Sequence, residues 1–423
     1  MKQSASVLVL LVFLSVILVS IPQIGVVKAE NTIYIRADGN IEGTDKIHRD
    51  GNVYTFLGNI TIEGSGIDGI IVEKDNIVID GADYNLQITG SMESSIGIKL
   101  MERTNVTINN LRILNFNYGI QFRKSSYIKV CRNNIENCVS GIHLYINSNH
   151  ISIIGNNITG NSYGIHLNEG GGNEIYGNNI ENNGIGIFIV NSRLNNIYHN
   201  NFVNNTEQVR FHSFWMPPFA GPQDNLWNYN YPGGGNYWSD YKERYPNSTE
   251  LDVLGIWNTT YIIAESNQDY YPLMAPITVF DAGVWEWTSY NVDVISNSTV
   301  SGFSFDPEEG SLIRFNVEVE EGTIGFCRVR IPKDLLHTEG NWNVLVDETP
   351  VTPSINEDKG NTYLYFTYQH NTKILEIIGT DAIPEFPSWT PLLVMLSVLA
   401  VALVVYKRRL KKSFSTVRGA RFD

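Results

Sequence analysis

Apolar and polar positions in the first half of the chain repeat with a period of about 22 residues. Each repeat reads Gly-Ile-x-Φ, a polar turn, Φ-x-Φ, then Asn-Asn-Φ and a second polar turn, where Φ is apolar. The glycines fall at Gly69, Gly97, Gly119, Gly141, Gly164 and Gly186, spaced by 28, 22, 22, 23 and 22 residues. Clear copies of the second part are Cys131-Arg132-Asn133-Asn134-Ile135, Ile154-Gly155-Asn156-Asn157-Ile158, Tyr176-Gly177-Asn178-Asn179-Ile180 and His199-Asn200-Asn201-Phe202. The apolar stretches are too short for helices and alternate with period two, which is a strand signal. Three short strands per coil, stacked coil on coil, predict a parallel β-helix. At ~4.8 Å per coil, six coils rise roughly 29 Å.

The register assigns faces. Ile142 and Leu144, and likewise Ile165 and Leu167, point inward. The first Asn of each pair (Asn133, Asn156, Asn178, Asn200) aligns with Leu111 of an earlier coil and is expected inside, where stacked amides bond coil to coil. The second aligns with Arg112 and is expected outside. Asn supplies 26 of the 114 residues between Ser95 and Gln208. Its side chain bonds its own backbone and tolerates the left-handed conformation, so these asparagines read as structural corner residues.

Past residue 277 the Gly-Ile register stops. Strand-like runs at 290–295, 312–319, 325–331, 342–346, 363–368 and 373–378, separated by turns such as Asp306-Pro307-Glu308-Glu309-Gly310, predict a β-sandwich. Trp285 and Trp287 are expected in its core.

The two ends carry sorting signals. Lys2, an apolar run over 7–21 and Val27-Lys28-Ala29 have the layout of a secretory signal peptide cut after Ala29. Residues 390–406 are uncharged and, at ~1.5 Å per residue, just long enough to cross a bilayer. Trp389 precedes them, and Lys407, Arg408, Arg409, Lys411 and Lys412 follow. That places the tail in the cytoplasm and the body outside.

Composition sharpens this picture. Only 17% of residues are charged and the net charge is −14. With the leader and the tail set aside, residues 30–381 carry −21, which argues against a nucleic-acid partner. Three cysteines cannot build a disulfide framework. Cys131 is expected outward, Cys138 buried and Cys327 alone in a strand. Seven N-x-[ST] sequons, at Asn59, Asn105, Asn157, Asn204, Asn247, Asn258 and Asn297, are candidate glycosylation sites.

The Gly-Ile and Asn-Asn-Ile coils resemble the right-handed parallel β-helix repeats of the NosD-like group. Its superfamily includes carbohydrate-binding and sugar-hydrolysing surface proteins, pectinolytic enzymes and periplasmic accessory proteins for copper sites. Asp224-Asn225-Leu226-Trp227, Gly234-Gly235-Asn236-Tyr237-Trp238-Ser239-Asp240-Tyr241 and Asp269-Tyr270-Tyr271-Pro272-Leu273 resemble the segment that closes the helix in these proteins. Pro384-Glu385-Phe386-Pro387 before the apolar run resembles the archaeal PEF-type sorting signal, which implies processing by an archaeosortase-type membrane peptidase. The resulting layout is all-β: signal peptide 1–29, right-handed parallel β-helix 30–210, closing segment 211–274, β-sandwich spacer 275–380, stalk 381–389, transmembrane helix 390–406 and basic tail 407–423.

The candidate chemistry lies on one outward strip. His143 and His166 both occupy x of Gly-Ile-x-Φ in adjacent coils, in a ladder with Lys99, Gln121 and Phe188. Arg123, Tyr145, Asn168 and Val190 run beside it. Gln121, Arg123, His143, Tyr145, His166 and Asn168 could hold a sugar chain by ring stacking and hydrogen bonds. His143 and His166 could instead share copper, although two imidazoles fall short of a usual ligand set. Otherwise they are exposed residues at a permissive position. The Asp pair, Gly-His-Gly and Arg-Ile-Lys of polygalacturonases are missing. Glu136 and Glu181 share a register two coils apart, about 9.6 Å, without a catalytic array around them. The reading is a surface-anchored protein that binds glycan or envelope polysaccharide without catalysis. A copper-handling accessory protein and a structural surface-layer component are the alternatives.

Overall fold

The structure, a computed structural model, describes residues 32–212, 224–285, 288–307, 311–318, 324–369 and 373–382. The leader, the sorting motif and the apolar run at 390–406 lie outside the described residues. Among those described, no helix is long and apolar enough to cross a membrane.

Residues 33–212 wind into a parallel β-solenoid. One face is a nine-stranded sheet and the other two are eight-stranded. Successive coils contribute Tyr118–Arg123, Ser140–Tyr145, Tyr163–Asn168 and Ile185–Val190 to the first face. The second face includes Lys129–Cys131, Ser152–Ile154, Glu174–Tyr176 and Asn196–Tyr198. The third includes Asn134–Glu136, Asn157–Thr159 and Asn179–Glu181. The solenoid starts earlier than the Gly-Ile repeat shows. Strands Ile33–Ile35, Val53–Phe56 and Ile60–Glu63 belong to it without that motif.

Equivalent apolar residues stack directly above one another. Ile98, Ile120, Ile142, Ile165 and Ile187 form one buried column. Ile113, Ile135, Ile158, Ile180 and Phe202 form another. The repeat glycine has a steric cause. A Cβ on Gly97, Gly119, Gly141 or Gly164 would lie 2.4, 2.5, 2.6 or 2.6 Å from the carbonyl oxygen of the matching glycine one coil on. No side chain fits at that distance.

The inward asparagines form the expected ladder. Asn133 Nδ2 donates to Asn156 Oδ1 at 3.0 Å, Asn156 to Asn178 at 2.9 Å, Asn178 to Asn200 at 2.9 Å and Asn200 to Asn236 at 3.1 Å. Each Oδ1 also accepts a backbone N–H of the preceding coil, as Asn178 does from Asn156 at 2.9 Å. Two further ladders escape the sequence reading, Asn161–Asn183–Asn205 and Asn173–Asn195–Asn225. The outward asparagines are less free than expected. Asn157 donates to Asn134 at 2.7 Å and Asn179 to Asn157 at 3.1 Å. Asn201 is buried and bonds Ile277. Corner asparagines Asn115, Asn137, Asn182 and Asn204 take φ of 66°, 55°, 54° and 52°, the left-handed region Asn tolerates.

The closing segment stops the open coil with aromatic rings. Trp238 stacks on Phe202 at 4.3 Å and on Tyr261 at 4.1 Å, each at 7°. The first ladder ends on Asp269, whose Oδ2 accepts Asn236 N at 2.7 Å and Trp238 Nε1 at 2.9 Å. A last rung has no further coil to donate to, so a side chain that only accepts suits it. Burial pushes the Asp269 carboxyl up to about 7, against the pull of those donors.

Beyond Ile277 two five-stranded antiparallel sheets share one core that includes Val292, Phe315, Val329, Trp342, Phe366 and Leu375. The predicted runs fall on strands Thr288–Ser296, Leu312–Glu318, Ile324–Pro332, Asn343–Val346, Asn361–Gln369 and Lys373–Ile378. Ile277–Trp285 and Thr299–Asp306 lie outside the predicted runs. Trp285 packs against this core, and Trp287 lies outside the described residues. This unit docks where the second solenoid face meets the third. Asn201, Tyr176 and His199 meet it, and a Cβ on Gly177 would lie 2.6 Å from Val279. Cys131 is therefore not exposed. It keeps its outward register, but is 6% accessible. All three cysteines are free and buried.

Two substitutions test this frame. Gly141→Ala should cost at least about 2 kcal/mol by overpacking against Gly164. Asn178→Ala should cost about 3–5 kcal/mol, because it strands several buried donors and acceptors at once. Denaturant melts of both variants check this, and a loss below about 1 kcal/mol for either would contradict the stacking account.

Candidate functional site

The predicted strip is assembled by strand register. Gln121, His143 and His166 are consecutive partners on the first face, and so are Arg123, Tyr145 and Asn168. All six side chains alternate with the inward column, so they project from the outer side of the sheet. A third outward ladder, Tyr118, Ser140 and Tyr163, runs beside His143 and His166.

The imidazoles are not exposed, contrary to the simplest sequence reading. His143 is 5% accessible and His166 is half-buried. Rings from their own and from flanking ladders enclose them. His143 stacks on His166 at 4.4 Å and 18°, and on Tyr118 at 5.0 Å and 17°. Tyr145 lies 5.4 Å from His143, and Phe188 lies 4.9 Å from His166. Gln121 Nε2 sits 3.1 Å from His143 Nδ1. Burial, then the neighbouring His166, lowers the His143 pKa to about 3, and burial lowers His166 to about 4. Both rings are neutral at physiological pH. Four buried polar atoms on this face have no hydrogen-bond partner among the described residues: Ser140 Oγ, His143 Nε2, His166 Nε2 and Asn168 Oδ1. Arg123 is exposed at the edge, and Lys99 is held by Asp68 at 2.9 Å.

Neutral imidazoles have the right protonation state for a metal. Their geometry does not suit one. Stacked parallel rings aim their in-plane lone pairs side by side, whereas a two-coordinate cation needs them opposed. Among the described residues no three His, Cys, Asp or Glu side chains gather to hold an ion. Glu136 and Glu181 keep the predicted register through Thr159. Glu136 is engaged by both ends of the Arg112 guanidinium at 3.0 Å, an ion pair rather than half of an acid–base pair. Of the sequons, Asn157 is half-buried and the other six are exposed; the side-chain amides of Asn105, Asn157, Asn258 and Asn297 already donate hydrogen bonds, and Asn59 Oδ1 accepts Asn85 N.

A second cluster was not legible in the sequence. At the seam between solenoid and antiparallel unit, Asp293 accepts from Tyr176 Oη and from Arg330 Nε at 2.6 Å, with His199 Nδ1 at 3.1 Å. Burial would raise its carboxyl, but Arg330 and His199 hold it well below the usual range. Asp293 lies 117 residues from Tyr176, 94 from His199 and 37 from Arg330. The only hint along the chain is a run of outward rings, Tyr176 and Tyr198, at one register.

The family model described as periplasmic copper-binding protein (NosD) matches residues 32–243, just over half of the chain. The chain belongs to the NosD family. That family is described as periplasmic, which supports an extracytoplasmic location for this member. No curated protein matches it. Among solved structures, this NosD-family chain is similar to a point mutant of the periplasmic alginate epimerase AlgG, with 22% identity and a TM-score of 0.33 over 40% of this chain and 44% of that one. The chain thus spans less than half the length of that epimerase. The enzymatically active domain of bacteriophage CBA120 tailspike protein 2 is 10% identical with a TM-score of 0.28, over 83% of this chain and 69% of that one. A phiAB6 tailspike in complex with oligosaccharides of Acinetobacter baumannii surface polysaccharide is 10% identical with a TM-score of 0.17, over 82% and 83%.

The buried imidazoles predict a pH effect on stability. Their folded pKa values lie below the ordinary value near 6.5, so the unfolded chain takes up protons first as pH falls. Stability they contribute above pH 6.5 is lost progressively down to about pH 4 and 3. A His143→Gln/His166→Gln variant should show a shallower fall of melting temperature between pH 7 and pH 4 than the wild type.

Proposed function

We propose that the outward strip of the first solenoid face is a noncatalytic binding surface for glycan or cell-envelope polysaccharide, on a protein displayed at the cell surface. The observation that carries this reading is the grouping of partnerless polar atoms. Ser140 Oγ, His143 Nε2, His166 Nε2 and Asn168 Oδ1 share one face among the rings of Tyr118, Tyr145, Tyr163 and Phe188. Buried polar atoms without partners are costly and ask for an occupant. These are uncharged, so they suit hydroxyl groups better than ions. The ring faces suit the apolar side of a pyranose, and Arg123 and Gln121 supply donors at the edge.

The proposed setting divides the chain as the sequence does. A leader over 1–29 exports it, residues 30–210 bear the strip and 211–274 close the solenoid. Residues 275–380 act as a spacer, and 381–423 hold it at the membrane through the motif Pro384–Pro387 and an apolar helix, with or without archaeosortase-type processing. The family description favours copper as a second reading. The stacked rings and the missing third ligand argue against His143 and His166 as its site. A purely structural surface-layer role is the reading left if neither ligand binds.

A glycan array probed with wild type and an Arg123→Ala/His143→Ala/Tyr145→Ala variant tests this proposal. The variant should bind at least about tenfold more weakly, about 1.4 kcal/mol. Equal signal from both proteins would reject the strip. Binding of the wild type should not change between pH 5 and 8, because both imidazoles stay neutral there. In equilibrium dialysis, copper uptake should be the same for wild type and His143→Ala/His166→Ala. Loss of uptake in the variant would favour the copper reading instead.

A further inference from the structure

A second concave surface lies where the two units meet. Glu174, Tyr198 and Tyr229 from the solenoid and its closing segment face Tyr290, Arg330 and Asn361 from the antiparallel unit across a cleft of about 410 Å³. The solenoid side is a curved aromatic wall. The Tyr198 ring lies 5.2 Å from Tyr176 and 5.5 Å from Tyr229, tilted by 43° and 42°. Tyr229 is 40% exposed. Glu174 Oε1 accepts the Tyr198 hydroxyl at 2.7 Å, which orients the carboxylate and leaves its other oxygen for a ligand.

Arg330 is fixed from three sides. Its Nε donates to Asp293 at 2.6 Å, Nη1 to Asn361 at 2.9 Å and Nη2 to Tyr176 Oη at 3.0 Å. A guanidinium has five N–H groups, so one remains on each terminal nitrogen, on a side chain that lines the cleft and is 16% exposed. Burying Asp293 and Arg330 at a seam costs desolvation that an apolar contact would avoid. Two units need no such device merely to stay together.

The donor and acceptor set narrows the ligand. A simple cation meets Arg330, and a polyanion meets Glu174. A wholly apolar molecule would strip water from both without replacing its hydrogen bonds. Vicinal hydroxyls satisfy a carboxylate oxygen, a guanidinium and an amide together, while the apolar face of the same ring lies on tyrosine. The volume is near the small end of ligand pockets, about 300–1,000 Å³, enough for a chain end rather than a polymer run. We propose that this cleft binds the terminal one or two sugar rings of a glycan, with both units contributing to the site. The proposal rests on the glycan reading for its ligand class and uses none of the strip residues.

Saturation-transfer NMR on the full chain, with glucose, galactose, mannose, N-acetylglucosamine and their β-linked disaccharides as probes, tests it. At least one probe should bind the wild type. A Glu174→Gln/Tyr229→Ala variant should bind it at least about tenfold more weakly, and the strip variant should bind it unchanged. The amide introduced by Glu174→Gln still accepts the Tyr198 hydroxyl and Tyr229 is exposed, so the melting temperature should stay near that of the wild type. Binding that survives in the cleft variant, or no binding of any probe, overturns the proposal. Array binding lost in the strip variant alone would leave the glycan reading standing while the cleft falls.

Discussion

Everything in the solenoid depends on how closely one coil sits on the next. Parallel strands fix the spacing through their backbone hydrogen bonds. At the repeat glycine the next coil passes so near that a Cβ has no room. At three other positions around the coil the backbone turns and leaves N–H and C=O groups that no strand partner reaches. The asparagine ladders satisfy them. In the first ladder Asn133, Asn156, Asn178 and Asn200 each donate to a carbonyl and to the next amide, and accept a backbone N–H in return, as Asn178 does with Ile153, Asn200 and Asn156. Buried polar groups must be paired in this way, and a periodic structure can do so with one residue type used repeatedly.

The same spacing creates the outer surfaces. Because every coil repeats the register, outward side chains at one position line up without further design. Gln121, His143, His166 and Phe188 become one column for the same reason that Ile120, Ile142, Ile165 and Ile187 do. Aromatic residues in neighbouring columns then shield the column between them. This turns two histidines from solvated groups into neutral, enclosed ones. The stacking that encloses them also sets their ring planes nearly parallel, which does not suit a shared cation.

A stack also has ends and sides that must be closed. The end is sealed by Trp227 and Trp238 over Phe202, and the ladder stops on an acceptor, Asp269. On one side, the antiparallel unit covers the corner between the second and third faces through Tyr176, His199 and Asn201. That contact is polar, and it lies beside an apolar cluster of Leu254, Ile256, Leu273, Ile277 and Ile295. A paired but costly Asp293–Arg330 ion pair at a seam holds a fixed geometry beside an open cleft, which a slippery apolar contact would not do.

The repeat, the inward isoleucines, the Gly-Ile requirement and the first asparagine ladder were all legible in the chain, because each follows from a local period that one coil carries complete. The six strip residues were legible for the same reason, since register alone brings them together. Burial of His143 and His166 was not, because it comes from ring stacking within and between columns rather than from their own alternation. The early coils carry no such motif, and Tyr54 and Ile62 occupy core positions without it. The second and third ladders escaped because Asn161 and Asn173 look like ordinary turn residues. The seam of Tyr176, His199, Asp293 and Arg330 left only the outward rings Tyr176 and Tyr198 as a trace in the sequence. Its members lie on two units whose packing no period encodes, so only the tertiary structure could bring them together.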